Sequence, residues 1–215
     1  MRALIAVPCM ETLPVAFTES LLNLTKPEGT KVCLKSGSLI YDARNLISLT
    51  AMEEKFDNVL WLDSDMQFTP DLLTTLLEDL TPDRMMVTCL YFRRKFPIRP
   101  VIFDKLDEPQ LVDGKLTASV HEYYDYPQDQ IFPVRGCGFG ACLTRTKLLK
   151  QVWDRFGPAF APYPWAGEDI SFCHRVNLLG HQIYCDSSIP LGHIGTAIFT
   201  EAVYLKNRGG ADEEH

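Results

Sequence analysis

The sequence contains no Cys-x-x-Cys pair, no internal repeat, no basic stripe and no apolar run near the ~20 residues that a membrane-spanning helix requires. Each absence removes a class of function. With 28 acidic against 21 basic residues and a formal charge of -7, interspersed along the chain, a phosphate-covered polymer finds little general attraction, and nucleic acid is not expected as a partner. A small anion can still bind through a local pocket or a divalent cation. The seven cysteines (Cys9, Cys33, Cys89, Cys137, Cys142, Cys173 and Cys185) are odd in number, lack metal-type spacing and mostly sit among apolar neighbours. They read as reduced packing residues, which favours a reducing compartment over a disulfide scaffold. The opening "MRALIAVPCMETLP" has one basic residue and a short apolar run cut by Pro8, too short for a signal peptide or membrane span; peripheral membrane contact stays open.

What is present alternates between strand and helix signals. "ALIAV" (Ala3 to Val7) is continuously apolar and β-rich, as a strand covered on both faces would be. A helix around Phe17 to Leu24 and a strand around Val32 to Leu34 follow, giving β-α-β order. Asp42 is placed to cap a helix whose apolar stripe is Ala43, Leu46, Ile47, Met52 and Phe56, with Arg44 and Asn45 at its very start. Val59 to Leu62 form another buried-type strand, which ends in the acids of "LDSDM". Thr69 as N-cap, Pro70 at N1 and Asp71 then announce a helix with Leu72, Leu73, Leu76, Leu77 and Leu80 inward. Met85 to Phe92 supply a further strand. The segment from Arg93 to Phe132 is polar, aromatic and proline-dotted, and reads as an irregular insertion apart from a hairpin signal at "VDGK". "VRGCGFGACLTR" permits close backbone approach. Two more helices, ending near Gly157 and Gly180, and the runs "QIYCD" and "LGHIG" complete the pattern; "GGADEEH" reads as a flexible tail, 209–215.

The sharpest chemical signal is Asp63 and Asp65. At alternate positions of an extended segment the two carboxylates leave on one face, where both can approach one cation or its surrounding diphosphate and ribose. The plain alternative is a solvated acidic turn. Position favours the first reading, because open α/β sheets bind ligands beyond the carboxyl ends of their strands. Ser64 can hydrogen-bond locally between the acids. His193, flanked by glycines in "LGHIG", is the histidine whose context suits a metal ligand, and mixed nitrogen and oxygen donors favour Mn²⁺ over Mg²⁺. Glu168 and Asp169 open an apolar-periodic helix; they either complement its dipole or take a proton from an attacking hydroxyl. Helix placement is expected to lower such a carboxylate's pKa. Arg44 can reach a phosphate or nucleobase rim, and Asn45 offers a donor and an acceptor. Arg93, Arg94, Lys95 and Arg99 form one basic patch, readable as a diphosphate or acceptor contact or as a solvated loop.

Taken in order, "ALIAVPC", "ARN" at Ala43 to Asn45, "WLDSDM", "GCGFGACLTR", "AGEDISFCHR" and "GHIG" resemble the GT-A glycosyltransferases, especially small bacterial, phage and viral proteins of the family-2-like group. The resemblance implies a three-layer α/β/α fold with a mostly parallel mixed sheet. It implies one domain over 1–208, with a nucleotide-binding half at about 1–92 and an acceptor-side half at about 93–208. It further implies a metal held by Asp63, Asp65 and His193, with Asp65 the more direct ligand, and a donor site including Pro8, Arg44, Asn45, Asp63, Ser64 and Asp65. The implied activity is transfer of a sugar from a nucleotide diphosphate sugar, UDP slightly preferred over GDP, to a carbohydrate, glycolipid or protein acceptor. An inverting route with Asp169, beside Glu168, as the base is the first expectation. A retaining route, or a noncatalytic nucleotide-sugar or carbohydrate binder, stays open. The expected setting is the cytoplasm of a bacterial or virus-infected host cell.

Overall fold

The computed structural model describes residues 1–195 and 198–207; the expected tail at 209–215 lies outside the described residues. In chain order the elements begin β1 (Ala3–Pro8), α1 (Val15–Asn23), β2 (Lys31–Lys35), α2 (Ile40–Glu53), β3 (Asn58–Leu62), β4 (Met66–Phe68), α3 (Leu72–Asp79) and β5 (Met86–Cys89). Then come β6 (Ile102–Leu106), β7 (Gln110–Val112), β8 (Lys115–Thr117), β9 (Val120–Glu122), β10 (Ile131–Val134), β11 (Gly136–Cys137) and β12 (Ala141–Arg145). The last are α4 (Thr146–Phe156), α5 (Glu168–Leu178), β13 (Ile183–Asp186), β14 (Leu191–Ile194), β15 (Ile198–Phe199) and α6 (Glu201–Asn207).

Seven strands make the main sheet in the order β10-β13-β5-β12-β3-β1-β2. The pairs β1 with β2, β1 with β3 and β13 with β5 are parallel. β12 runs antiparallel to both β3 and β5, and β10 antiparallel to β13. Five strands thus share one direction and two oppose it, a mixed sheet. The continuous apolar runs of β1 and β3 are explained by helices on both faces. Leu4, Ala6, Val59 and Trp61 face a core with Ile47 of α2, Leu148, Leu149 and Val152 of α4, and Phe172 of α5. Ile5, Val7, Leu60 and Leu62 face the opposite core, with Phe17 of α1 and Leu72, Leu73 and Leu76 of α3. All seven cysteines are free, and five are buried. Among the described residues, no helix is long and apolar enough to cross a membrane.

Three local expectations need correction. α2 starts at Ile40, not after Asp42, so Asp42 lies in its first turn and Arg44 falls one turn inside the helix. α3 starts at Leu72, with Asp71 as the flanking residue; Thr69 accepts the Leu72 N–H at 3.3 Å in a preceding turn. The 93–132 segment is more ordered than its composition suggests: β6 joins β9 and β11 in a small antiparallel sheet, and β7 pairs with β8. Strands of two to five residues with mostly exposed side chains leave little hydrophobic alternation to read. The β7–β8 hairpin does sit at "VDGK", with Asp113 and Gly114 both at positive φ, as a two-residue primed turn demands.

Candidate active site

β1 and β3 are parallel and in register from Ala3 with Asn58 to Ala6 with Trp61. Buried Pro8 therefore ends its strand level with Asp63. Directly after β3 the backbone does not stay extended: the Met66 N–H donates to the Asp63 carbonyl at 3.3 Å, closing a turn over Asp63-Ser64-Asp65. This corrects the expected geometry. The two carboxylates part company across the turn, with half-buried Ser64 between them.

Asp63 turns inward. Its Oδ1 lies 2.7 Å from Nη2 of Arg44, whose Nη1 reaches Glu168 at the start of α5. Arg44 is only 2% exposed and its guanidinium lies over Phe139, 5.1 Å from the ring centroid. A guanidinium that is always charged, planar and forked suits this bridge between two acids. Burial opposes the charge on Arg44, yet Asp63 and Glu168 more than offset it, and its pKa is raised. Neither Arg44 nor Asn45 faces outward as expected for a donor contact. The Asn45 side-chain oxygen instead accepts the Phe160 backbone N–H at 2.8 Å.

Asp65 turns toward β14. β4 and β14 pair antiparallel, with Met66 opposite His193, and the Ile194 N–H donates to the Asp65 carbonyl at 2.7 Å. His193 Nε2 consequently lies 3.5 Å from Asp65 Oδ2. Its Nδ1–H donates to the Phe92 carbonyl at 2.7 Å, so Nε2 is the ring nitrogen that faces the acid. Arg94 Nη1 sits 2.7 Å from the same Oδ2. Burial works against the imidazolium, but Asp65 and the Phe92 carbonyl outweigh it and raise the His193 pKa. Burial likewise works against the Asp65 carboxylate, and here His193 and Arg94 win and lower its pKa.

Asp169 follows Glu168 at the start of α5 and accepts the Ile170 N–H at 2.7 Å. Its pKa is raised, first by burial and then by the Glu168 charge, which overrides the lowering expected from a helix N-terminus. Tyr91, which carried no sequence signal of its own, ties the parts together. It is buried, accepts the Gly140 N–H at 3.3 Å and meets the His193 ring edge-on at 5.5 Å. Burial and the charges of Asp63 and Asp169 hold its phenol well above the ordinary range, so it stays neutral. A Cβ on Gly138 would lie 2.0 Å from the phenol oxygen, and one on Gly140 would lie 2.8 Å from the ring. The glycine-rich segment thus permits close approach as expected, and the partner is Tyr91.

Among the described residues, no group of three or more His, Cys, Asp or Glu side chains is disposed to hold a metal ion. The donors that come together are two, Asp65 Oδ2 and His193 Nε2. Adjacent ligands of an octahedral cation with bonds of about 2.1 Å lie about 3 Å apart, so the 3.5 Å pair would close by about half an ångström to hold one. A separate cavity of about 550 Å³ is lined by Gln67, Phe68, Leu191, Gly192, Thr200 and Glu201 among others; none of Asp63, Asp65, Asp169 or His193 lines it.

No family model matches the chain, and no curated protein matches it in sequence. Solved structures do. The protein described as A197 from STIV superposes with a TM-score of 0.66 at 16% identity, over 91% of this chain and 86% of that one. GalNAc-T7, solved with UDP, GalNAc and Mn²⁺, superposes with a TM-score of 0.60 at 11% identity, over 90% of this chain but 43% of that one. Likeness at these identities speaks to fold alone, and the fold it supports is a mixed sheet flanked by helices, an α/β/α architecture resembling the GT-A folds.

Proposed function

We propose that the chain is a metal-dependent glycosyltransferase that moves a sugar from a nucleotide diphosphate sugar to an acceptor hydroxyl. The observation that carries this reading is the pairing of β4 with β14, which sets His193 beside Asp65 at the strand ends where Asp63 and Tyr91 also gather. In this reading Asp65 and His193 hold Mn²⁺ or Mg²⁺, and the half at about 1–92 takes the donor while the half at about 93–208 takes the acceptor. The cation would offset charge on the departing diphosphate. Asp63, kept in place by Arg44, lies nearer the ribose or the hydration shell than the cation itself. A UDP sugar is preferred slightly over a GDP sugar.

The base is Asp169. Glu168 is committed to Arg44, whereas the raised pKa of Asp169 makes it the better proton acceptor at neutral pH. In the inverting route the acceptor oxygen bonds to the anomeric carbon as the bond from that carbon to the diphosphate breaks. The hydroxyl proton passes to the Asp169 carboxylate.

One observation favours a noncatalytic binder: Asp63 and Asp65 are both ion-paired with arginines, and no third acid or imidazole completes a cation site among the described residues. A thermal-shift screen of nucleotide sugars with and without Mn²⁺, followed by transfer assays, separates the readings. The enzyme reading expects Mn²⁺-dependent stabilisation by one donor class. It also expects Asp169→Asn to keep that stabilisation while losing about 10²- to 10⁴-fold in turnover. Unchanged turnover in Asp169→Asn removes it from the reaction; donor binding without hydrolysis or transfer across a broad acceptor panel favours the binder.

A further inference from the structure

After Phe92 the chain leaves the sheet in a loop that carries Arg93, Arg94, Lys95 and Arg99. Arg93 and Arg99 both turn to Glu122, at 3.3 and 3.5 Å. Arg94 turns the other way. Its Nη1 lies 2.7 Å from Asp65 Oδ2 and donates to the Ile194 carbonyl at 3.2 Å. The oxygen it contacts is the one that faces His193 Nε2, and hence the one a cation held by Asp65 and His193 must use. A guanidinium and a divalent cation on a single carboxylate oxygen repel each other strongly. Arg94 also has the freedom to leave: its side chain is 52% exposed, against 2% for Arg44 on the neighbouring acid. With one partner so exposed, the pair holds less firmly than a buried one.

Resting on the reading of Asp65 and His193 as cation ligands, we propose that Arg94 is a resident counter-ion of Asp65 that a divalent cation displaces, and that the displaced arginine becomes a positioning residue for the donor diphosphate. A cation arriving alone strips Arg94 of its partner. A cation arriving with a diphosphate gives the guanidinium a new one, for which its forked donors are well matched. Cation and diphosphate therefore strengthen each other's binding through Arg94, beyond any direct bond between them.

The test is Mn²⁺ binding to the full chain, read from the electron paramagnetic resonance of free Mn²⁺, with and without UDP as probe. Wild type is compared with Arg94→Gln, Lys95→Gln and Asp65→Asn, each checked for folding by circular dichroism. Arg94→Gln is expected to bind Mn²⁺ alone on the order of five- to ten-fold more tightly than wild type, and to gain less from UDP than wild type gains. Lys95→Gln makes the same change in net charge at an exposed position of the same loop and should behave as wild type; Asp65→Asn should lose the bound Mn²⁺. Equal Mn²⁺ affinity in Arg94→Gln and wild type, or an equal gain in Lys95→Gln, overturns the displacement and leaves the cation site standing. No bound Mn²⁺ in wild type or Arg94→Gln, with or without UDP, overturns the cation site and the displacement with it.

Discussion

Acids crowd together in two parts of this molecule, and the crowding is relieved in opposite ways. At the end of β3, Asp63 and Asp65 each face an arginine, and at the start of α5 Glu168 shares the first of these. On β13, Asp186 lies against Asp79 of α3, and there the pair takes up a proton as pH falls: burial first, and then Asp186, push the Asp79 pKa to about 6. Asp186 meanwhile accepts from the Ser188 N–H and hydroxyl at 2.8 and 2.7 Å. Two acids in contact are therefore not in themselves a cation site. What marks the β3 end is that its acids are paired with arginines, one buried and one exposed.

The largest effect expected from this contrast is on Arg44. Arg44→Met leaves Asp63 and Glu168 without their buried counter-charge and should cost about 3–5 kcal/mol in urea unfolding. A loss under about 1 kcal/mol would mean that both acids find water instead.

An intermediate effect, dependent on pH, is expected at Asp79. Its folded pKa is raised, so its contribution is fully present below the unfolded value near 3.8 and is lost as pH rises through about 6. Asp79→Asn stays neutral throughout. Discounted for partial solvent screening, it should stabilise the protein by on the order of 1–2 kcal/mol at pH 8, with the gain vanishing near pH 4. A gain that is the same at both pH values would show that the proton is not what relieves the pair. The smallest effect is on the exposed cation: Arg94→Gln should change unfolding free energy by no more than about 0.5 kcal/mol, measured alongside Arg44→Met.

The sheet and the acidic strand end were legible because burial on both faces leaves apolar runs, as in "ALIAV" and "NVLWL", that stop where the strands end. His193 was legible from its glycine neighbours; a Cβ on Gly192 would lie 2.7 Å from Ile198, so that glycine lets β14 pack where it does. The inward turn of Arg44 was not legible, since an arginine near a helix start reads as solvated until a second acid from 124 residues away closes on it. Nor was Tyr91, whose hydroxyl matters through groups on three separate segments. The small sheet of β6, β9 and β11 is not legible because its strands, of two to five residues, are too short to print a period on the sequence.

β12 runs against its neighbours β3 and β5, with Ala141 opposite Leu62. A strand inserted upside down delivers its beginning where the others deliver their ends, so the segment entering β12 meets the segment leaving β3, and the Asp63 N–H is tied to the Gly140 carbonyl at 3.0 Å. The acidic turn is thereby stitched to the middle of the chain as well as to its late imidazole. A two-residue slip of β12 would carry that carbonyl away by the length of about two strand residues, roughly 7 Å, and untie the turn without altering a single acid.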